Sequence, residues 1–416
     1  MSKKPWHTKQ WFVSPWNYEP EVTADFHFPK KIKIHDITLR DGEQQAAVTF
    51  RKEDKIRIAK MLDEAGVHRI EAGMPAVSPQ DEAAIKEINT MGLKAEIFSF
   101  SRCMVKDVQL AHACGVKGIV VEIPCSEHII KYAYGWPLDR AIKLSIEATL
   151  CAKELGLYTV FFPIDSTRAE INWFLDVIEK VATEGHMDAL AVVDTFGVTS
   201  PHAIPYLMKK IRERIPDKPL EPHFHADFGM GVANTVLALA AGGSVAHTTV
   251  TGIGERAGNT AMEDLVLTLK TMYNKDLGIK TEKFYDLSKT VLELAKVKMP
   301  ANRPIVGEAL YNVESGIIAA WVEQAGEDHI LECIPFTPDL VGQNPVQIVI
   351  GKNSGLPTIA HYLQKLKLSL SEDKHMELLM ALKKMAHEKK RLLTVDEFKK
   401  MVLKVKGKKP AKAAAC

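Results

Sequence analysis

The segment KIKIHDITLRDGEQ, residues 31–44, joins a short β-rich run to a knot of polar groups. KIKIHDI (31–37) reads as a strand, and Arg40, Asp41 and Gln44 follow directly on its C-terminal side. The next stretch, KEDKIRIAKMLDEAG, sets Ile56, Ala59, Leu62 and Ala65 at helical spacing and ends on Gly66, a C-terminal stop. The same strand–polar end–helix rhythm recurs along the chain. The further strand-like runs are HRIEAG (68–73), KAEIFSF (94–100), GIVVEIP (118–124), YTVFFPI (158–164), ALAVVDT (189–195), EPHFHA (221–226) and AHTTVTG (246–252). Most are apolar and β-branched, as strands buried on both faces are. Eight β/α units within residues 31–272 predict an α/β fold, a (β/α)8 TIM barrel. A doubly wound open sheet is the alternative; it usually has fewer strands and often a Gly-rich first turn, which is absent here.

After about residue 275 the pattern turns helical. The expected organisation is an N-terminal extension (1–30), the barrel (31–275), a small mainly helical subdomain (276–404) and a disordered basic tail (405–416). Trp6, Trp11 and Trp16 lie among prolines in the extension and are expected to pack on the barrel or on a partner subunit.

A hydrophobic fraction of 46% and a charged fraction of 25% are ordinary for a soluble globular protein. The net charge of +2 gives no argument for nucleic acid. No apolar run approaches the roughly 20 residues of a membrane helix, and no apolar run follows the two early lysines as in a secretory signal. Six scattered cysteines without a CxxC suggest reduced, mostly buried thiols and a cytoplasmic setting.

In a barrel, functional groups sit past the C-terminal ends of the strands. TLRDGEQ, EAGMP, CSEH, DTFG, HFHAD and GIGERAGN all fall there. His223 and His225, at i and i+2 on a strand, face one side; alone they are either a metal half-site or two packed polar residues. Asp41 ends strand one, two strands from strand seven in a closed barrel, and Asn259 follows strand eight between them. The four converge on one mixed N/O site with room for substrate oxygens, suited to Mg2+, Mn2+ or Zn2+.

LRDGEQ with Lys55, HFHAD and GIGERAGN together resemble the DRE-TIM metallolyase superfamily, in its branch of 2-isopropylmalate, citramalate and homocitrate synthases. PIVGEALYNVESGI and PFTPDLVG…IVIGKNSG resemble that branch's post-barrel segment, so the resemblance covers roughly residues 30–400. It implies that Asp41, His223, His225 and Asn259 bind a divalent metal cation, that Arg40 faces the 2-oxo group and that Thr195 meets the substrate carboxylate. For Thr195, a strand-end hydroxyl bonded to backbone is the alternative. His128 falls where the synthases often carry a histidine near the 2-oxo acid side chain. Glu71 falls at the family's Glu-x-Gly, where it meets substrate or, at least as readily, plays a structural role, and Gln44 is a supporting group at the substrate. The substrates implied are a 2-oxo acid and an acyl-CoA, joined by a Claisen-type condensation, and a homodimer is implied as the assembly.

The sequence departs from the family pattern at Ala226, Ile164, Val313, Ile318 and Asn353, where Asn, Glu, His, His and His are usual. Ile318 stands where the family's histidine is implicated in deprotonating the acyl-CoA methyl group. Glu314 can take that role if desolvation raises its pKa, and so can a histidine from elsewhere in the chain or from a partner subunit. A carbon–carbon lyase and a non-catalytic metabolite-binding paralogue are the alternatives to a synthase. The chain runs to 416 without a further regulatory domain, so feedback inhibition by that route is not expected.

Overall fold

The computed structural model describes residues 4–407. Eight parallel strands follow one another in space: β1 Lys33–Asp36, β2 Arg69–Glu71, β3 Glu96–Arg102, β4 Gly118–Pro124, β5 Tyr158–Ile164, β6 Ala189–Asp194, β7 Leu220–Phe224 and β8 Val245–Thr248. β8 pairs back onto β1, with His35 opposite His247. Between β7 and β8, Ser244 N donates to Leu220 O at 2.9 Å. The sheet therefore curls into the expected (β/α)8 barrel.

Each helix covers the sheet with an apolar stripe. The helix Lys52–Ala65 buries Ile58, Ala59, Leu62 and Ala65, while Ile56 is half-buried, and Gly66 ends it with φ of 90°. Fully burying one such aliphatic side chain contributes about 1.5–3 kcal/mol. The stretch 276–299 stays with the barrel instead of opening the helical subdomain. The reason is the helix Phe284–Ala295, whose Phe284, Leu287, Val291 and Leu292 lie in the barrel's own hydrophobic core.

Inside the barrel the two halves differ. β3 to β6 contribute an apolar cluster of Phe98, Phe100, Val120, Val160, Phe162, Ala189, Ala191 and Val193. β1, β2, β7 and β8 contribute buried ionisable groups, namely His35, Arg69, Glu71, Glu221, His223 and His247.

Among the described residues the second compact unit comprises 4–13, 300–303 and 307–407, so residues 14–30 of the extension belong to the barrel unit. The helices Gly316–Ala325, Leu356–Lys365, His375–Lys389 and Val395–Lys406 close on Ile348, Ile350, Ile359, Leu378, Leu382 and Phe398. Phe12 N donates to Pro335 O at 2.9 Å and Thr337 N to Gln10 O at 2.8 Å, so the first segment pairs within this unit. Of the three early tryptophans, Trp16 is exposed. The last helix runs through 405 to Lys406, and the basic tail beyond 407 lies outside the described residues. Among the described residues no helix is long and apolar enough to cross a membrane. The five described cysteines are free, with Cys103, Cys114 and Cys125 buried.

Candidate active site

Asp41, His223 and His225 are all buried at the C-terminal end of the barrel, with ligand atoms within 4.8 Å of one another. His223 Nε2 lies 3.6 Å and His225 Nε2 3.9 Å from Asp41 Oδ2. The period-two alternation of β7 continues through His225 to the first loop residues, which sets both rings on one side. His225 Nδ1 lies 3.1 Å from Gly258 O. A proton there donates to the carbonyl and leaves the Nε2 lone pair to face Asp41. Burial, then His225, His247 and Arg40, hold His223 well below the usual histidine range. It is therefore neutral, as a metal ligand must be.

Asn259 joins this group through its amide nitrogen, which donates to Asp41 Oδ1 at 2.7 Å and to Ile253 O at 3.3 Å. Its Oδ1 is buried and has no hydrogen-bond partner, as has His223 Nδ1. An orphaned amide oxygen, a carboxylate and two imidazoles side by side fit a divalent cation of borderline hardness.

Arg40 anchors the acidic side. Its Nη1 donates to Asp41 Oδ2 at 2.9 Å and to Gln44 Oε1 at 3.2 Å, and its Nε pairs with Glu71 Oε1. Phe100 packs under the guanidinium, 3.8 Å from ring centroid to Cζ. Arg40 Nη2 is buried without a partner, a donor left over for an incoming oxygen. Glu71, the last residue of β2, is fully buried and its carboxylate pairs with Arg40, the structural role that its place after strand two also allowed. Burial alone would push Glu71 up, but Arg40 and His35 outweigh it and hold the carboxyl at about 2. Lys55 is buried, 2.6 Å from Glu43 Oε2 and paired with Asp81, so it pins the loop after β1.

Thr195 and His128 meet through a residue the sequence reading passed over. Asp165 N donates to Thr195 Oγ1 at 2.8 Å, leaving that hydroxyl's own proton free to donate. Asp165 Oδ2 accepts from Ser126 Oγ at 2.6 Å and lies 3.0 Å from His128 Nε2. Arg168 Nε donates to Oδ1 at 2.7 Å. Asp165 holds φ at 61°, a left-handed conformation that aspartate tolerates better than most residues. Phe196 lies between Arg168 and Arg256, and Arg256 Nε donates to Asp227 Oδ1 at 2.8 Å. That bond ties the HFHAD motif to GIGERAGN although Ala226 has replaced the family's amide.

Glu314 belongs to the second unit. Its Oε1 accepts from Asn353 N at 2.8 Å, and Gly351 leaves the carboxylate room. Ile164 ends β5 half-buried beside the apolar interior cluster.

Missed altogether were His35, Arg69, Glu221 and His247. A signal existed for one of them: Glu221 shares its parity with His223 and His225 and so faces inward with them.

Fold and site define a class, the (β/α)8-barrel enzymes that place an Arg–Asp pair from strand one against a His-x-His from strand seven. Residues 31–291 match the HMGL-like family, and the chain belongs to it, in the DRE-TIM synthase branch of acyltransferases. It is 35% identical over 399 residues to a homocitrate synthase of Methanothermobacter thermautotrophicus, covering 96% of this chain and 99% of that one. It is 37% identical over 353 residues to a 2-isopropylmalate synthase of Methanocaldococcus jannaschii, covering 85% and 67%. Its barrel superposes on the HMG-CoA lyase of Bacillus subtilis with a TM-score of 0.59 at 23% identity, over 66% of this chain and 97% of the lyase, a likeness of fold.

Proposed function

We propose that this enzyme condenses an acyl-CoA, acetyl-CoA first among them, with a 2-oxo acid, in a divalent-metal-dependent Claisen-type reaction that yields a 2-alkylmalate-type acid and free CoA. The observation that carries the reading is the convergence of Asp41, His223 and His225, with the orphaned Asn259 Oδ1 and Arg40 Nη2 beside them. Asp41, His223, His225 and Asn259 would hold Mg2+, Mn2+ or Zn2+; the bound ion supplies Lewis-acid polarisation of the 2-oxo carbonyl.

The chain's own groups supply the rest. Arg40 donates its unpartnered Nη2 to the carbonyl oxygen as that oxygen gains charge. Thr195, its oxygen fixed by Asp165 N, donates its hydroxyl proton to the substrate carboxylate. His128, partly exposed and set against Asp165, meets the oxo acid's side chain. Glu314 takes the proton from the acyl-CoA α-carbon. That role rests on the loss of the family's histidine at Ile318, and on a carboxylate already held in one orientation by Asn353 N. A homodimer is part of the same reading; Ile317 and Trp321, one turn apart on the helix Gly316–Ala325, are exposed.

The test incubates the protein with Mn2+, Mg2+ or Zn2+, acetyl-CoA and a panel of 2-oxo acids, and follows thiol release. Steady CoA release with one acid supports the reading. Release of a 2-oxo acid from 2-alkylmalates without CoA-dependent synthesis, or oxo-acid binding without turnover, sinks it. Glu314→Gln should cut turnover and leave 2-oxo acid binding intact; normal turnover would remove Glu314 as the base.

A further inference from the structure

Beneath the site, six ionisable side chains form a continuous column through the polar half of the barrel. Arg40 Nε pairs with Glu71 Oε1, and Glu71 Oε2 lies 3.4 Å from His35 Nε2. The His35 ring stacks on His247 at 4.5 Å with 24° between planes. His247 Nε2 lies 3.0 Å from Glu221 Oε2, and Glu221 Oε1 accepts from Arg69 Nη1 at 2.8 Å. Arg69 is itself set against the rings of Phe98 and Tyr158, each 4.8 Å away. The order is Arg–Glu–His–His–Glu–Arg, with a cation–carboxylate pair at either end and two imidazoles between.

His35, Glu221 and His247 also bring ligand atoms within 4.8 Å of one another, which raises the question of a second metal. The geometry points elsewhere. Stacked imidazoles send their in-plane lone pairs side by side instead of toward one ion, and a metal needs convergent donors. Both oxygens of Glu221 are already engaged, one of them by a guanidinium that repels a cation. Filling a barrel interior needs no charges, and each buried ion carries a desolvation penalty of several kcal/mol. A column of this length therefore calls for a use beyond packing.

We propose that His35 is a positioning residue for Arg40, acting through Glu71; its use in turnover rests on the condensation reading above. Glu71 Oε1 is taken by Arg40, so the carboxylate can still rotate unless its second oxygen is also held. His35 Nε2 lies 3.4 Å from that oxygen, at ion-pair distance but outside hydrogen-bond geometry, and both atoms are buried without a hydrogen-bond partner, which leaves His35 as the group placed to hold it. The stack on His247 and the edge of Phe98, 5.1 Å away, fix the plane of the His35 ring. Glu221 and Arg69 fix His247 in turn. The orientation of the guanidinium at the barrel mouth is thus set by a chain of contacts anchored at the opposite side of the core.

The experiment follows the Arg40 Nε–H resonance in 15N-arginine-labelled protein, assigned with Arg40→Lys, alongside steady-state kinetics. In His35→Phe the resonance should lose its protection from solvent exchange. Its kcat should fall about 10- to 100-fold, the range for removing a supporting partner. KM for acetyl-CoA and Mn2+ affinity should stay within about twofold of the wild type, as a general loss of structure would not allow. His35→Gln, whose amide can donate to Glu71, should restore both signals. His35→Asn, too short to reach, should behave like His35→Phe and serves if the latter fails to fold. An unchanged Arg40 resonance in His35→Phe or His35→Asn overturns the proposal. So does a second equivalent of bound Zn2+ that disappears in His247→Ala. If the wild type turns over no oxo acid, the functional reading fails alone, and the resonance still decides the role of His35.

Discussion

Asn259 donates its amide proton to Asp41 across 2.7 Å, joining two residues that lie 218 positions apart in the chain. The loop after β8 thereby closes over the loop after β1, and the carboxylate is held before any ion arrives. The turn that allows it passes through Gly254 at φ of 151° and Gly258 at φ of 82°.

Gly254→Ala is the direct probe of that closure. A Cβ at this position would come within 3.0 Å of Asp41 Oδ1 and closer still to Asn259 Nδ2. The variant should keep its far-ultraviolet circular dichroism and lose about 10- to 100-fold in Mn2+ affinity, read by calorimetric titration. Wild-type affinity would show that the loop is not needed to set the ligands.

Removing a ligand should do more. With Mn2+ at about 100 times its dissociation constant, binding adds about 2.7 kcal/mol to folding stability. The matching rise in melting temperature should be absent in His225→Ala and in Asp41→Asn, and chelation should lower the wild type to the same level. A metal-dependent rise that survives in both variants would place the ion elsewhere.

The pH dependence of stability, measured by urea unfolding with chelator present, follows from three buried groups. His35 is held down to about 4 by burial and then by His247. The unfolded chain thus takes up this proton first, and the contribution, complete above 6.5, is lost as pH falls toward 4. Glu71, at about 2, acts the same way lower down, complete above 4.5 and lost as pH falls through 2. Asp36 runs oppositely: burial raises it from 3.8 to about 7, so its contribution is present below 3.8 and lost as pH rises through 7. Between pH 6.5 and 4.5, His35→Phe should therefore lose less stability on acidification than the wild type, by up to about 1.4 kcal/mol per pH unit. Asp36→Asn should lose more over the same window. Parallel profiles for all three proteins would mean that neither group changes its protonation on folding.

Asp165→Ala removes the common anchor of Ser126, His128 and Arg168 and leaves a left-handed residue without aspartate's tolerance for it. A loss of about 3 kcal/mol is expected, together with a higher KM for the 2-oxo acid and an unchanged KM for acetyl-CoA. Asp165→Asn, which keeps the backbone preference and the bond from Ser126, should lose less. Equal effects from the two would put the weight on the Arg168 pair instead of the backbone.

Much of this molecule was legible in the sequence because its periodicities are local. Strand runs, helical stripes such as Ala59, Leu62 and Ala65, and polar groups at strand ends each declare themselves within a dozen residues. The barrel followed, and with it the meeting of Asp41 with His223 and His225. For Glu71 the sequence left a substrate contact and a structural role both open; its pairing with Arg40, 31 residues away, appears only in three dimensions. Asp165 was overlooked because two of its three partners, Ser126 and His128, come from the end of the neighbouring β4, and only Arg168 lies in its own segment.

Alternation and motif spacing alone determined that eight strands would close and which residues would stand at their ends, since both depend on the two- and 3.6-residue repeats of the backbone. Only the tertiary structure decided how the interior divides, with an apolar cluster on β3 to β6, broken by Glu122 on β4, and buried ionisable groups on β1, β2, β7 and β8. That division depends on which inward side chains meet across strands far apart in the chain. His35 and His247 stack because β8 returns to β1, and no local pattern carries the register of that return.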